Sequence, residues 1–336
     1  MKKGLKITIS ILAVLFALIF AFLGVYYLWP WNKDFFDNAT QEFEIPGLDT
    51  SFVPQGFTEI ESYNKYLISG YMNDGSPSRF YVIDSDTKKV DNYFILDIDG
   101  KKFDGHAGGV VSYGSTLWVV SQLEEKGYAL RFLLSDVMNL KGSGYAISVR
   151  DYFETYNNAD FAFTYDDMLW VGEFYRDDNY LTNTDHHVKT RSGETNHSIV
   201  FGFDIDESYN YGLDDDFPVK AISVPDLAQG MEVTSSGNIV LSTSYSIPDS
   251  NIYYYKNILD EASHAELRVG LDSVPLWFLD GKSLISSRTI PAMSEEMIIK
   301  NDRVYILFES ACKRYRLFNR KRLNHVYSLP LTYFEK

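Results

Sequence analysis

The chain has 336 residues, 45% of them hydrophobic, a formal net charge of −15 and a single cysteine. Such a length and apolar content can bury a sizeable core and exclude a disordered protein. The acidity excludes nucleic acid as the main partner, because a phosphate backbone calls for a basic surface, and the lone Cys312 excludes an internal disulfide framework.

The first predicted element is a helix. Lys2, Lys3 and Lys6 precede Ile7 to Trp31, a stretch without a charged residue that is long enough to cross a hydrocarbon layer of roughly 30 Å. It ends in "VYYLWPW", an aromatic belt suited to the membrane interface. A cleaved secretory signal is the alternative, although its apolar region would be shorter and would end in a small-x-small site. The anchored reading predicts a single-pass protein of the cell membrane, with residues 1–6 cytoplasmic, 7–31 spanning, 32–41 a linker and 42–336 an extracellular domain; the alternative predicts a secreted one. An ectodomain without disulfides points to a Gram-positive-type bacterium.

Beyond the linker the chain reads as strands, and its 25 Tyr and 23 Phe suit them. "RFYVIDSD", "NYFILDID", "SIVFGFDID" and "NIVLSTSYS" are short, aromatic or β-branched, and bounded by turn formers. The best helical candidate is "KNILDEASHAELRV", Lys256 to Val269, read as a surface insertion.

One pattern recurs. "DGHAGGVVSYGSTLWVVS", with His106 between glycines, matches stretches starting at Gln55, Asn158, Gln229 and Glu295, giving five copies. Each opens on a polar residue, continues through small or apolar residues to a polar turn ("SYNK", "YGST", "YDD", "SSGN", "KNDR"), and returns along an apolar strand. Each is followed by another strand, such as "SRFYVIDSD", "YALRFLLS" or "KRYRLFN", and then by an outer one.

A strand module repeated at roughly 50 to 70 residues resembles the β-propeller superfamily, each module being one four-stranded blade. Five blades are expected; six is the alternative, should a long insertion hide one. The resemblance covers residues 42–336 and rests on the repeat alone, since no "GH…WD" pair, kelch double glycine or Asp-box is present. In such a fold inner strands begin, and second strands end, at one face of the central channel. The resemblance therefore places Gln55, His106, Asn158, Asp160, Gln229, Glu295 and Glu296 in a ring at the channel mouth, joined by Glu173 and Glu309 from the second strands. Ring closure is expected from "QEFEIPGL", Gln41 to Leu48, with "HVYSLPL", His325 to Leu331, competing for the same outer slot.

Carboxylates converging with an imidazole and amides suit a hard cation or a sugar. Calcium takes six to eight oxygens, with Asp160 and Glu296 as candidate ligands. Neighbouring carboxylates would raise the pKa of His106 above its ordinary value. The polar insertion Tyr175 to His197 is expected over the mouth, either as a solvated loop or as a lid contributing His186, His187 or His197. The basic run "KRYRLFNRKR" is expected as a charged outer edge strand, or as a contact for anionic polymer or lipid headgroups through Lys313, Arg314, Arg316, Arg320, Lys321 and Arg322. No nucleophile elbow, P-loop or dinucleotide fingerprint is present. Two classes of function remain: a membrane-anchored extracellular binding or scaffold module with an extracellular ligand or protein partner, and a cell-surface hydrolase of a glycan, lactone or phosphoester.

Overall fold

The structure, a computed structural model, describes residues 2–335, with side chains from Thr8 onward. After an apolar helix, Lys2–Leu28, and a short one, Lys33–Asn38, the chain folds into five blades around a central channel. Their inner strands are Phe52–Ile60, Val110–Tyr113, Phe161–Tyr165, Ala228–Val233 and Ser294–Lys300, and each packs against the next until the fifth meets the first. No sixth blade is concealed in the insertions. One of them, Tyr145–Ser148, adds a parallel strand to the outside of blade 1; another, the hairpin Ala265–Val269 with Asp272–Phe278, widens blade 3 to six strands.

The inner hairpins turn where the five polar turns predict. Asn64, Gly114, Asp166, Asp167, Gly237, Asn301 and Asp302 supply the left-handed backbone there, which these residue types adopt at low cost. The core is divided accordingly into five buried apolar clusters, one between each pair of neighbouring blades. Trp118 and Phe153 of blade 2 pack on Leu169 and Phe201 of blade 3, and Phe80 and Phe94 of blade 1 on Leu117 and Phe132 of blade 2. Burial of these apolar faces is the main force holding neighbouring blades together.

Both terminal candidates for ring closure are used, in successive slots. His325–Pro330 is the third strand of blade 5, and Thr40–Glu44 pairs antiparallel with it as the outer strand. The expected linker is part of the fold too: Phe35 is buried against Phe308 and Tyr327, and the Tyr333 hydroxyl donates to Asp34 Oδ2 at 2.7 Å.

Two expected elements are corrected. Lys256 to Val269 is no helix: Asn257 Oδ1 accepts from the Leu259 N–H to set a turn, and Ala265–Val269 then alternates Leu267 and Val269 inward with Glu266 and Arg268 outward, the period of a strand. The basic run is no edge strand either. Residues 311–318 wind through successive turns, because His325–Pro330 and Thr40–Glu44 fill the slots the run would need.

Candidate functional site: the channel mouth

Where inner strands begin and second strands end, the channel opens into a cavity of about 540 Å3. The floor and lower walls carry Gln55, His106, Asn158, Asp160, Gln229, Glu295 and Glu309. Seven of the nine predicted mouth residues are thus brought together from all five blades.

Glu296 and Glu173 lie elsewhere. Glu296 sits beneath the floor, with both carboxylate oxygens occupied. The Phe57 and Val110 N–H groups donate to Oε2 at 2.6 and 3.1 Å, and the Ala162 N–H donates to Oε1 at 3.0 Å. These donors belong to the channel-facing edges of three different inner strands, which have no further strand to pair with. One side chain of blade 5 therefore ties blades 1, 2 and 3 at the axis. Gly109 permits the approach: a Cβ there would lie 2.5 Å from Glu296 Oε1 and 2.3 Å from the Ala162 nitrogen.

Glu173 turns away from the rim into a buried contact with His186 Nδ1 at 2.7 Å, and also accepts from the Ile199 and Asn158 N–H groups. The polar insertion uses its three histidines for its own anchorage. His197 Nδ1 meets Asp226 at 2.9 Å, and His187 Nε2 lies 3.1 Å from the Thr182 hydroxyl. What reaches the cavity from this insertion is its tip, Asn179, Tyr180 and Leu181, pinned by a hydrogen bond from Asn158 Nδ2 to the Leu181 carbonyl.

The upper wall went unread in the sequence. Tyr71, Gln122, Phe174, Tyr245, Arg314 and Tyr315 line it. Most stand just beyond the second strands, where loop geometry sets direction, so no periodicity announces them. Tyr71 lies against His106 with ring centroids 4.7 Å apart and planes tilted by 31°, and Arg314 Nη1 donates to the Tyr71 hydroxyl at 2.5 Å.

Enclosure governs the electrostatics. His106 is exposed to the open cavity, yet desolvation by the protein packed around it and the Arg314 guanidinium pull its pKa down to about 4, opposite to the direction expected from the sequence. Desolvation pushes Asp160 up to about 7 and Glu309 up to about 8. Glu295 is raised well above its ordinary value, first by burial and then by Glu309, to which it is hydrogen-bonded. Two buried carboxyls that raise one another are expected to titrate as a pair, and Gln55 Nε2 donates to Glu309 at 3.2 Å.

Of the two candidate calcium ligands, Asp160 lines the cavity while both oxygens of Glu296 accept from backbone N–H groups. Among the described residues, no three His, Cys, Asp or Glu side chains are grouped to hold a metal ion.

Ring and mouth together define a five-bladed β-propeller with a polar, aromatic-walled cavity at one end of its axis and an apolar helix at its N-terminus long enough to cross a membrane. No protein-family model and no curated protein matches the sequence. Among solved structures the chain is similar to the PQQ-bound aldose sugar dehydrogenase of Streptomyces coelicolor, at 11% identity and TM-score 0.49 over 87% of this chain and 96% of that one. It is also similar to the glutaminyl cyclase of Myxococcus xanthus, at 9% identity and TM-score 0.44 over 87% and 94%. At such identities and scores these likenesses say nothing of activity.

Proposed function

We propose that this protein is a membrane-anchored binding module whose channel mouth takes a neutral, hydroxyl-rich ligand of the saccharide class from outside the cell. The observation that carries the reading is the composition of the cavity. Tyr71, Tyr180, Tyr245 and Tyr315 offer ring faces, the amides of Gln55, Gln122, Asn158, Asn179 and Gln229 offer both donors and acceptors, and burial favours the protonated form of the Glu295–Glu309 pair. Sugar hydroxyls need donors and acceptors side by side, with an apolar face beneath the ring carbons. A volume of about 540 Å3 lies in the range of small-molecule sites.

Hydrolysis of a glycosidic bond is the second reading, and Asp160 favours it, since a carboxyl with a pKa near 7 can act as a general acid. The Glu295–Glu309 pair does not serve it. Two catalytic carboxyls stand about 5 to 9.5 Å apart in such enzymes, whereas these touch through a hydrogen bond.

Calorimetry on the detergent-solubilised full chain tests both readings, with cellobiose, maltose, lactose and chitobiose as probes, each with and without calcium. The expected result is saturable binding of at least one disaccharide, independent of calcium and lost in Gln229→Ala. Failure of all four overturns the saccharide reading. Appearance of monosaccharide, abolished in Asp160→Asn, replaces the binding module with the hydrolase; binding that requires calcium restores the cation.

A further inference from the structure

The turns that follow the second strand of blade 5 do two things at once. Arg314 and Tyr315 line the cavity, while Leu317 and Phe318, two residues further on, stand 68% and 63% exposed on the outside of the protein. Their backbone is fastened to the end of the apolar helix: the Tyr26 hydroxyl donates to the Phe318 carbonyl at 2.7 Å, and the Tyr27 hydroxyl to the Leu317 carbonyl at 3.1 Å. Tyrosines at the end of a membrane-spanning helix sit at headgroup depth. The exposed pair Leu317–Phe318 is therefore held at that depth as well.

Basic side chains flank it, one of them, Arg316, facing Asp49 at 3.9 Å. Arg320 lies 4.5 Å from the Trp31 ring centre and is paired with Asp249, but no acidic side chain among the described residues pairs with Lys321 or Arg322. Lys321 stands over Phe36 and Arg322 over Tyr27, both rings close to the end of the same helix. Two unneutralised cations beside an apolar tip, in a chain of net charge −15, complement a surface that is apolar below and anionic above.

We propose that Leu317 and Phe318 insert into the outer leaflet, with Lys321 and Arg322 on the phosphates of anionic lipids, so that the cavity opens beside the headgroup layer. The proposal rests on the helix lying in a membrane, not on what the cavity binds. It orients the propeller: Arg314 and Tyr315 become the side of the mouth nearest the lipid, and a ligand reaches the cavity along the membrane surface.

The test uses the full chain in vesicles. Cys312 is buried and escapes labelling, so a fluorophore on Phe318→Cys reports the tip and one on Leu271→Cys the face opposite the mouth, where that residue is 95% exposed at a hairpin turn. With brominated acyl chains as quencher, the Phe318 label is expected to be quenched at least about twofold more than the Leu271 label. Adding phosphatidylglycerol to phosphatidylcholine should deepen that quenching, and Lys321→Gln with Arg322→Gln should abolish the gain, each cation near an anionic surface being worth about fivefold in partitioning. Equal quenching at the two positions overturns the insertion. Quenching indifferent to phosphatidylglycerol and to the double substitution overturns the anionic-lipid contact. A change in the Phe318 label on adding soluble polyphosphate to the detergent-solubilised chain, with none in vesicles, assigns the surface to a free polyanion instead. Disaccharide calorimetry is run without a bilayer, so its outcome is independent of all of these.

Discussion

His106 and Glu296 are both expected at the mouth, and the structure separates them. His106 lies against the cavity with Tyr71 as its ring partner and makes no hydrogen bond among the described residues. Glu296 looks like a ligand-binding acid and is instead a backbone acceptor for three blades. His106→Ala is therefore expected to weaken disaccharide binding while shifting the melting midpoint little. Glu296→Gln should leave binding nearly intact but lower stability by about 1–3 kcal/mol, because its amide nitrogen confronts N–H donors and leaves at least one unpaired. Melting curves and calorimetry on both variants check this. Greater destabilisation by His106→Ala than by Glu296→Gln would contradict it. The sequence could not tell Glu295 from Glu296 because the pairing register slips between Ser294 and Met297, which breaks the two-residue alternation and directs two neighbouring acids at the axis. The other mouth residues were legible because the repeat places the same strand start there in each blade.

Elements were legible wherever a turn former and an alternating apolar strand coincided, which is why the inner hairpins and "SRFYVIDSD", "YALRFLLS" and "SIVFGFDID" fall where they do. Slots determined by distant pairing were not legible. Nothing local in "KRYRLFN" says that residues 325–330 will occupy the third position of its blade, and nothing in "NKDFFDNATQ" says that Phe35 will be buried. The outer strand Thr40–Glu44 carries this closure, and its Phe43 stacks on Tyr66 of blade 1 with centroids 5.2 Å apart and planes 9° apart. Phe43→Ala is expected to cost about 3–5 kcal/mol in a denaturant titration, by leaving a cavity at the seam where the last blade meets the first. An exposed aromatic of similar size, Tyr145, serves as the control; its loss should cost less than about 1 kcal/mol. Equal costs at the two sites would mean that the seam contributes nothing special to closing the ring.

At the scale of the whole molecule, the mouth makes stability depend on pH in a direction unusual for an acidic protein. Asp160, Glu295 and Glu309 all bind their protons more tightly folded than unfolded, being raised from 3.8 to about 7, well above 4.5, and from 4.5 to about 8, chiefly by burial. A carboxyl raised in this way contributes stability that is full below its unfolded pKa and is lost as the pH climbs through its folded one. His106 opposes them. Pulled down from 6.5 to about 4, it contributes above 6.5 and loses that contribution as the pH falls toward 4. Glu296, raised from 4.5 to about 8, and Glu232, raised well above 4.5, act in the same direction as the three mouth carboxyls, so between about pH 5 and pH 8 five raised carboxyls act against the lowered imidazoles of His106 and His187 and the net slope is downward with rising pH. The melting midpoint is therefore expected to be higher near pH 5.5 than near pH 8.5, by about 5 °C or more in a domain of this size. Below that window the trend should reverse, because surface carboxylates such as Asp74, held down to about 2 by the Ser76 hydroxyl and N–H, lose their stabilisation on protonation. The double substitution Glu295→Gln, Glu309→Gln removes two of the five raised carboxyls and should make the profile between pH 5.5 and 8.5 shallower. A wild-type midpoint that rises across this interval, or a slope that survives the double substitution unchanged, would show that these carboxyls are ionised in the folded protein and that the mouth does not hold a shared proton.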